Sequence, residues 1–255
     1  MLARALSYAW RVPATGFAFC VLGIGGLVLA LTAFPLIAAS ARDDLVRERR
    51  GQAVIRVSFR AYLLMLRALG VIRFEVIGRE RLAGCRGALI IANHPTLLDV
   101  VLLMSLVPNA QCVVKHQLWH SRFLGPIVRA AGYIRNDLEP DAFIERCRHT
   151  LGAGSNLIIF PEGTRSVPGQ PARIRRGFAN VALLVPADLQ IVRISCDPIT
   201  LSKGSPWYDI PERRALFRVM IDDFVATADF MRYGSRALGA RRLATYLEAR
   251  FALRQ

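Results

Sequence analysis

From about Phe74 to the C-terminus, short apolar runs alternate with longer amphipathic stretches. The runs RFEVIG, GALIIAN, QCVVKH, GYIR, NLIIF, QIVRISC and LFRVMID read as strands. Most are continuously apolar, the pattern of strands covered on both faces. Helical spacing between and after them predicts helices over residues 96–106, 123–131, 141–151, 177–184 and 236–253. Strand runs alternating with helices predict an α/β fold, a largely parallel or mixed sheet covered by helices. The last helix interleaves Leu238, Leu243, Tyr246, Leu247 and Phe251 with Arg241, Arg242 and Arg250, so it is amphipathic and basic.

Ahead of this region the pattern is different. Residues 12–41 carry no formal charge, and a helix needs only about 20 apolar residues to cross a bilayer. Gly23, Gly25 and Gly26 are tolerated in such a helix. The rival reading, a secretory signal, has a shorter apolar part of about 7–15 residues, so a retained N-terminal membrane anchor over 1–41 is expected. Six arginines from Arg42 to Arg60 follow the segment and two, Arg4 and Arg11, precede it, which favours a cytoplasmic C-terminal side. A spanning helix and a hairpin dipping into one leaflet both fit. Residues 42–73 then read as a basic interfacial helix, with Arg56, Arg60 and Arg67 on one stripe, or as a core helix with a basic outer face. Residues 74–255 form the expected globular domain.

Composition sharpens the picture. Of 255 residues, 53% are hydrophobic, yet Lys+Arg number 34 against 19 Asp+Glu, a net charge of +15. A partner both greasy and anionic fits, which an acidic membrane surface is and nucleic acid is not. No helix-turn-helix or zinc-finger spacing supports nucleic-acid binding. Five cysteines without a CxxC pair suggest a reducing compartment and no disulfide framework.

Three polar groups fall at strand ends, where an open α/β sheet binds its ligands. NHPTLLD places His94 at a strand-to-helix corner and Asp99 five residues on. With Pro95 suited to the start of the helix that follows, the imidazole can fold back onto the carboxylate, giving a base and the acid that fixes its tautomer. FPEGTRS, from Phe160 to Ser166, carries Glu162, Gly163, Thr164 and Arg165 in a loop suited to a phosphate. GYIRND ends another apolar run with Arg135. His116 and His120 stand at i, i+4, but no third metal ligand is in sight.

Together these motifs resemble the glycerophospholipid acyltransferase family, most closely the 1-acylglycerol-3-phosphate acyltransferases. His94 and Asp99 match its His-x4-Asp motif, GYIRND its arginine block and FPEGTRS its third motif residue for residue. VVKHQLW is similar to its lysine strand and places Lys115 near the site. The resemblance covers about residues 74–200. It departs at IVRI, where Arg193 replaces a central proline, and this leaves the acceptor open.

The resemblance implies a membrane-bound O-acyltransferase of the cytoplasmic membrane, its site facing the cytoplasm, acting without cofactor or metal. His94 is expected to deprotonate an acceptor hydroxyl with Asp99 orienting it, and that hydroxyl to attack an acyl-CoA or acyl-carrier-protein thioester. Arg165, Arg135 and Lys115 would hold the phosphate of a lysophosphatidic-acid-like acceptor, with Glu162 on its hydroxyls or orienting the arginine. Amides after Pro95 would meet the oxyanion. A lyso-ornithine or polyene lipid acceptor, or a non-catalytic lipid-binding role, are the alternatives.

Overall fold

The computed structural model describes residues 2–167, 170, 173–185, 187–232 and 234–252. Helices α1 (Leu2–Leu31), α2 (Ala33–Ser40) and α3 (Asp44–Ala68) come first. After them come β1 (Ile72–Ile77), α4 (Glu80–Ala83), β2 (Leu89–Ala92), α5 (Asp99–Leu106), β3 (Ala110–Val114) and α6 (His116–Trp119). Then follow α7 (Gly125–Ala130), β4 (Ile134–Arg135), α8 (Pro140–Gly152), β5 (Asn156–Ile159) and α9 (Arg176–Leu184). The chain closes with β6 (Leu189–Asp197), β7 (Ala215–Val225), α10 (Ala228–Met231) and α11 (Arg236–Ala252).

The seven strands form one sheet in the order β1-β7-β6-β2-β5-β3-β4. From β6 to β4 all neighbours are parallel; β7 is antiparallel to β6 and parallel to β1. The α/β fold with a mixed sheet under helices is therefore the observed one. Successive strand residues face opposite ways, and the core divides accordingly. Ile90, Ala92, Ile158 and Val192 join α3 and α5 on one face, while Leu89, Ile91, Leu157 and Ile191 join α8, α9 and α11 on the other.

Each of the seven apolar runs contributes a strand, although GYIR supplies only Ile134–Arg135. The helix predicted over 96–106 starts three residues late, at Asp99. Thr96 is the reason. Its N–H and hydroxyl both donate to the Asp99 carboxylate while its Oγ1 accepts the Leu98 N–H, a local closure that competes with helix. Pro95 thus lies in a loop. Residue 253, the predicted end of the last helix, falls outside the described residues.

Helix α3 is packed into the domain rather than lying apart from it. Ile55, Tyr62, Leu63 and Leu66 are buried, and β1 begins at Ile72, ahead of the expected division at 73/74. Its arginines have separate tasks. Arg56 donates to the Ser105 and Leu106 carbonyls at the end of α5, satisfying groups that a helix C-terminus leaves orphaned, while Arg60 and Arg67 point outward. Glu48, near the start of α3, accepts from Gln111 and Arg146. Its carboxylate rests on Gly132 (φ +75°), where a Cβ would lie 2.4 Å from Glu48 Cδ.

Helix α1 also packs against the domain. Arg11, Ala14, Thr15 and Ala18 are buried, and Phe19, Val21, Leu22 and Leu29 lie against the core. Arg11 donates to the Pro211 and Glu212 carbonyls and Trp10 Nε1–H to Leu69 O. Phe34 and Ile37 of α2 continue the buried face. The other face, with Trp10, Phe17, Ile24, Val28 and Leu31, is apolar and exposed.

Candidate active site

Strand β2 ends at Ala92, and the next residue locks the corner. Asn93 accepts the Ile194 N–H (2.7 Å) and donates to the Ile194 carbonyl (2.8 Å), extending the tie to β6 beyond the strand. His94 then turns its ring onto Phe160, stacked at 4.2 Å between centroids. Its Nδ1 lies 2.9 Å from Asp99 Oδ2. A carboxylate there fixes the Nδ1–H tautomer and leaves Nε2 as the base. Asp99 is fully buried; burial pushes its carboxyl up, opposed by its hydrogen bonds to His94 and Thr96.

The FPEGTRS loop grips this corner. Glu162 Oε1 accepts the His94 N–H (3.1 Å) and the Ser166 hydroxyl (3.0 Å), and the Ser166 N–H donates to the His94 carbonyl (2.7 Å). Glu162 is buried and holds the base's backbone, a contact sequence reasoning did not find. Arg165 donates from Nη1 to the Leu201 (3.0 Å) and Ser202 (2.8 Å) carbonyls. Leu201 adopts a left-handed φ of +51°, and its carbonyl also receives the Leu97 N–H (3.1 Å). The amides of Thr96, Leu97 and Leu98 are thus all engaged. This corrects the expected oxyanion site after Pro95, because the helix begins only at Asp99.

Gly163 (φ +69°) faces Arg175, whose Nε would lie 2.7 Å from a Cβ at that position. Arg175 donates its N–H to Pro161 O (3.0 Å) and its Nε–H to Glu162 O (3.2 Å). Arg175, in the basic run RIRRG, therefore braces the loop. Thr164 is half-buried beside it.

The sheet order sets the remaining residues at a distance. Lys115 is exposed just past β3. Arg135 ends β4, three strand spacings from β2, about 14 Å. Its Nε lies 3.4 Å from Asp137 Oδ1, and it lines an edge pocket with Trp119, Tyr133 and Arg146. Arg193 faces away from the base, forming a bidentate pair with Asp222 of β7 (Nη2–Oδ1 2.8 Å, Nε–Oδ2 3.0 Å). Among the described residues no cluster of three or more His, Cys, Asp or Glu is placed to hold a metal ion.

A narrow apolar cleft runs from the loop after His94 to α1. Leu97, Leu98, Val101, Tyr62, Ala18 and Leu22 line it.

With this geometry in place, comparison with known proteins is informative. Residues 73–199 match the family model described as Acyltransferase. A 1-acyl-sn-glycerol-3-phosphate acyltransferase of Cocos nucifera is 33% identical over 140 residues, 47% of this chain and 45% of that one. One from Helicobacter pylori is 33% identical over 87 residues, 32% of this chain and 37% of that one. The human alpha form is 29% identical over 195 residues, 74% and 63% of the two chains. The chain thus spans less than half the length of the coconut and Helicobacter relatives. The crystal structure of the 1-acyl-sn-glycerophosphate acyltransferase PlsC of Thermotoga maritima superposes with a TM-score of 0.71 at 16% identity. That superposition covers 96% of this chain and 98% of the other, a likeness of fold. The motifs, the sheet and the family model agree: the chain belongs to the acyltransferase family.

Proposed function

We propose that the protein transfers an acyl group from a thioester to the free hydroxyl of a lysophosphatidic-acid-like acceptor. The observation that carries this reading is the His94 Nδ1–Asp99 Oδ2 contact of 2.9 Å within a corner held by Glu162, Ser166 and Asn93. Nε2 takes the hydroxyl proton as the oxygen attacks the thioester carbonyl; Asp99 stabilises the imidazolium; the tetrahedral intermediate collapses and expels the thiolate, which the imidazolium reprotonates. Such a positioned base is worth about 10²–10⁴-fold. The Arg165 guanidinium, fixed through Nη1, offers its remaining N–H groups to the acceptor phosphate. Acyl-CoA and acyl-carrier protein are both suitable donors, and the chemistry needs no further cofactor.

The reading places the protein on the cytoplasmic membrane, its site toward the cytoplasm. A helix docked along one face and apolar along the other suits insertion into one leaflet better than a lone spanning helix.

The test is purified protein, wild type beside His94→Ala, given labelled acyl-CoA or acyl-carrier protein with lysophosphatidic acid. Diacyl product lost in the variant supports the assignment. No wild-type product with either donor overturns the acceptor, and other lyso-lipids would then be screened.

A further inference from the structure

Two loops distant in sequence carry large apolar side chains outward and touch α1. The β6–β7 loop presents Trp207 (45% exposed) and Tyr208 (59%), and the α6–α7 turn presents Phe123 (61%) and Leu124 (41%). Trp207 packs on Gly16, where a Cβ would stand 3.1 Å from its ring, and lies 6.2 Å from Phe19 between centroids. Leu124 approaches Gly26, 3.4 Å from its Cβ position. Ten residues of helix, about 15 Å, separate the two contacts. Each tip is accompanied by an exposed cation, Arg122 beside Phe123 and Lys203 before Trp207. Exposed aromatic residues with nearby cations, continuous with an apolar helical stripe, match the headgroup layer of an anionic bilayer.

We propose that Trp207–Tyr208 and Phe123–Leu124 are bilayer contacts of the globular domain, seated at headgroup depth alongside the outer stripe of α1. Two widely spaced tips fix the tilt of the domain, which a single helix free to roll does not. The β6–β7 loop also carries Leu201 and Ser202, which hold Arg165, so the seat lies beside the site where a lyso-lipid leaves the membrane. The proposal rests on α1 lying against the bilayer, and Trp10 of α1 tests that separately.

The experiment uses the full chain in vesicles of phosphatidylglycerol and phosphatidylcholine. Variants keep one tryptophan each: Trp207 alone (W10F, W119F) or Trp10 alone (W119F, W207F). A Phe123→Cys variant in a Cys20→Ser background carries an environment-sensitive label. Lipids brominated near the headgroup end of the chain are expected to quench Trp207 and the label at 123 by about half, the behaviour of interfacial residues. Quenching of Trp10 without Trp207 or the 123 label overturns the domain seat and leaves α1 on the membrane. Quenching of none of the three overturns both.

Discussion

At the scale of single residues, Thr96 decides whether Asp99 does its work. The carboxylate is buried, and Thr96 supplies two donors to it, each at 2.6 Å. Thr96→Val removes the hydroxyl and is expected to lower kcat about tenfold, the cost of roughly 1.4 kcal/mol from one hydrogen bond to a charge, while Thr96→Ser keeps most activity. Hydrogen bonds to a carboxylate lower its pKa, so the acid limb of the pH–rate profile should also move to higher pH in Thr96→Val. An unmoved limb would deny Thr96 this role. Asp99→Asn separates function from stability. Activity should fall by about 10³–10⁴, as when a triad's orienting carboxylate becomes an amide. Because burial raises the Asp99 carboxyl in the folded state, its contribution to stability is present at low pH and lost as pH rises through the raised value. Asp99→Asn should therefore melt higher than wild type near pH 8, the gap closing toward pH 4. The His–Asp pairing was legible once its spacing was joined by the other strand-end groups and the complete FPEGTRS motif; the Thr96 turn and the Glu162 grip were not, since both depend on backbone donors that a motif does not display.

At the scale of elements, joints between distant segments matter most. Arg193, the departure from the family pattern, is a strut between β6 and β7 rather than an acceptor contact. Its partner Asp222 is 29 residues away, and nothing in a linear reading couples the two. Removing it leaves Asp222 half-buried with Arg250 as the nearer remaining cation, at 4.0 Å. Arg193→Ala is therefore expected to cost about 1–3 kcal/mol in chemical denaturation and to leave the KM for the acceptor unchanged. A raised KM with unchanged stability would return Arg193 to the site. Gly132 is a second joint. The motif GYIRND suggested a ligand arginine, but its glycine is fixed by the Glu48 carboxylate of α3. The strands and most helices were legible because their apolar runs and periodicity are local; the α3–β4 joint was not, because Glu48 resembles any charged residue near a helix start.

At the scale of the whole molecule, the N-terminal helices close the fold as well as meeting the membrane. Apolar on every face, residues 12–41 read as an anchor, and no periodicity separates the side that packs from the side that meets lipid. The structure makes that separation: Ala18 and Phe34 belong to the same buried cluster as Leu102 and Phe217. Ala18 also forms a wall of the cleft that opens behind Leu97 and Leu98. Two consequences differ in kind. Ala18→Leu adds three carbons at a position only 1% exposed, so it should overpack the seam between α1 and the domain and cost about 1–3 kcal/mol in chemical denaturation while retaining the helix. Deleting residues 1–40 strips one face of the core, uncovering buried apolar area worth about 25 cal/mol for each Å². If α1 and α2 were only an anchor, residues 41–255 would melt cooperatively and acylate a dispersed acceptor at the wild-type rate. If they close the core, the truncated chain should lose its cooperative melt by circular dichroism and its activity together, and restoring detergent or vesicles should not bring either back.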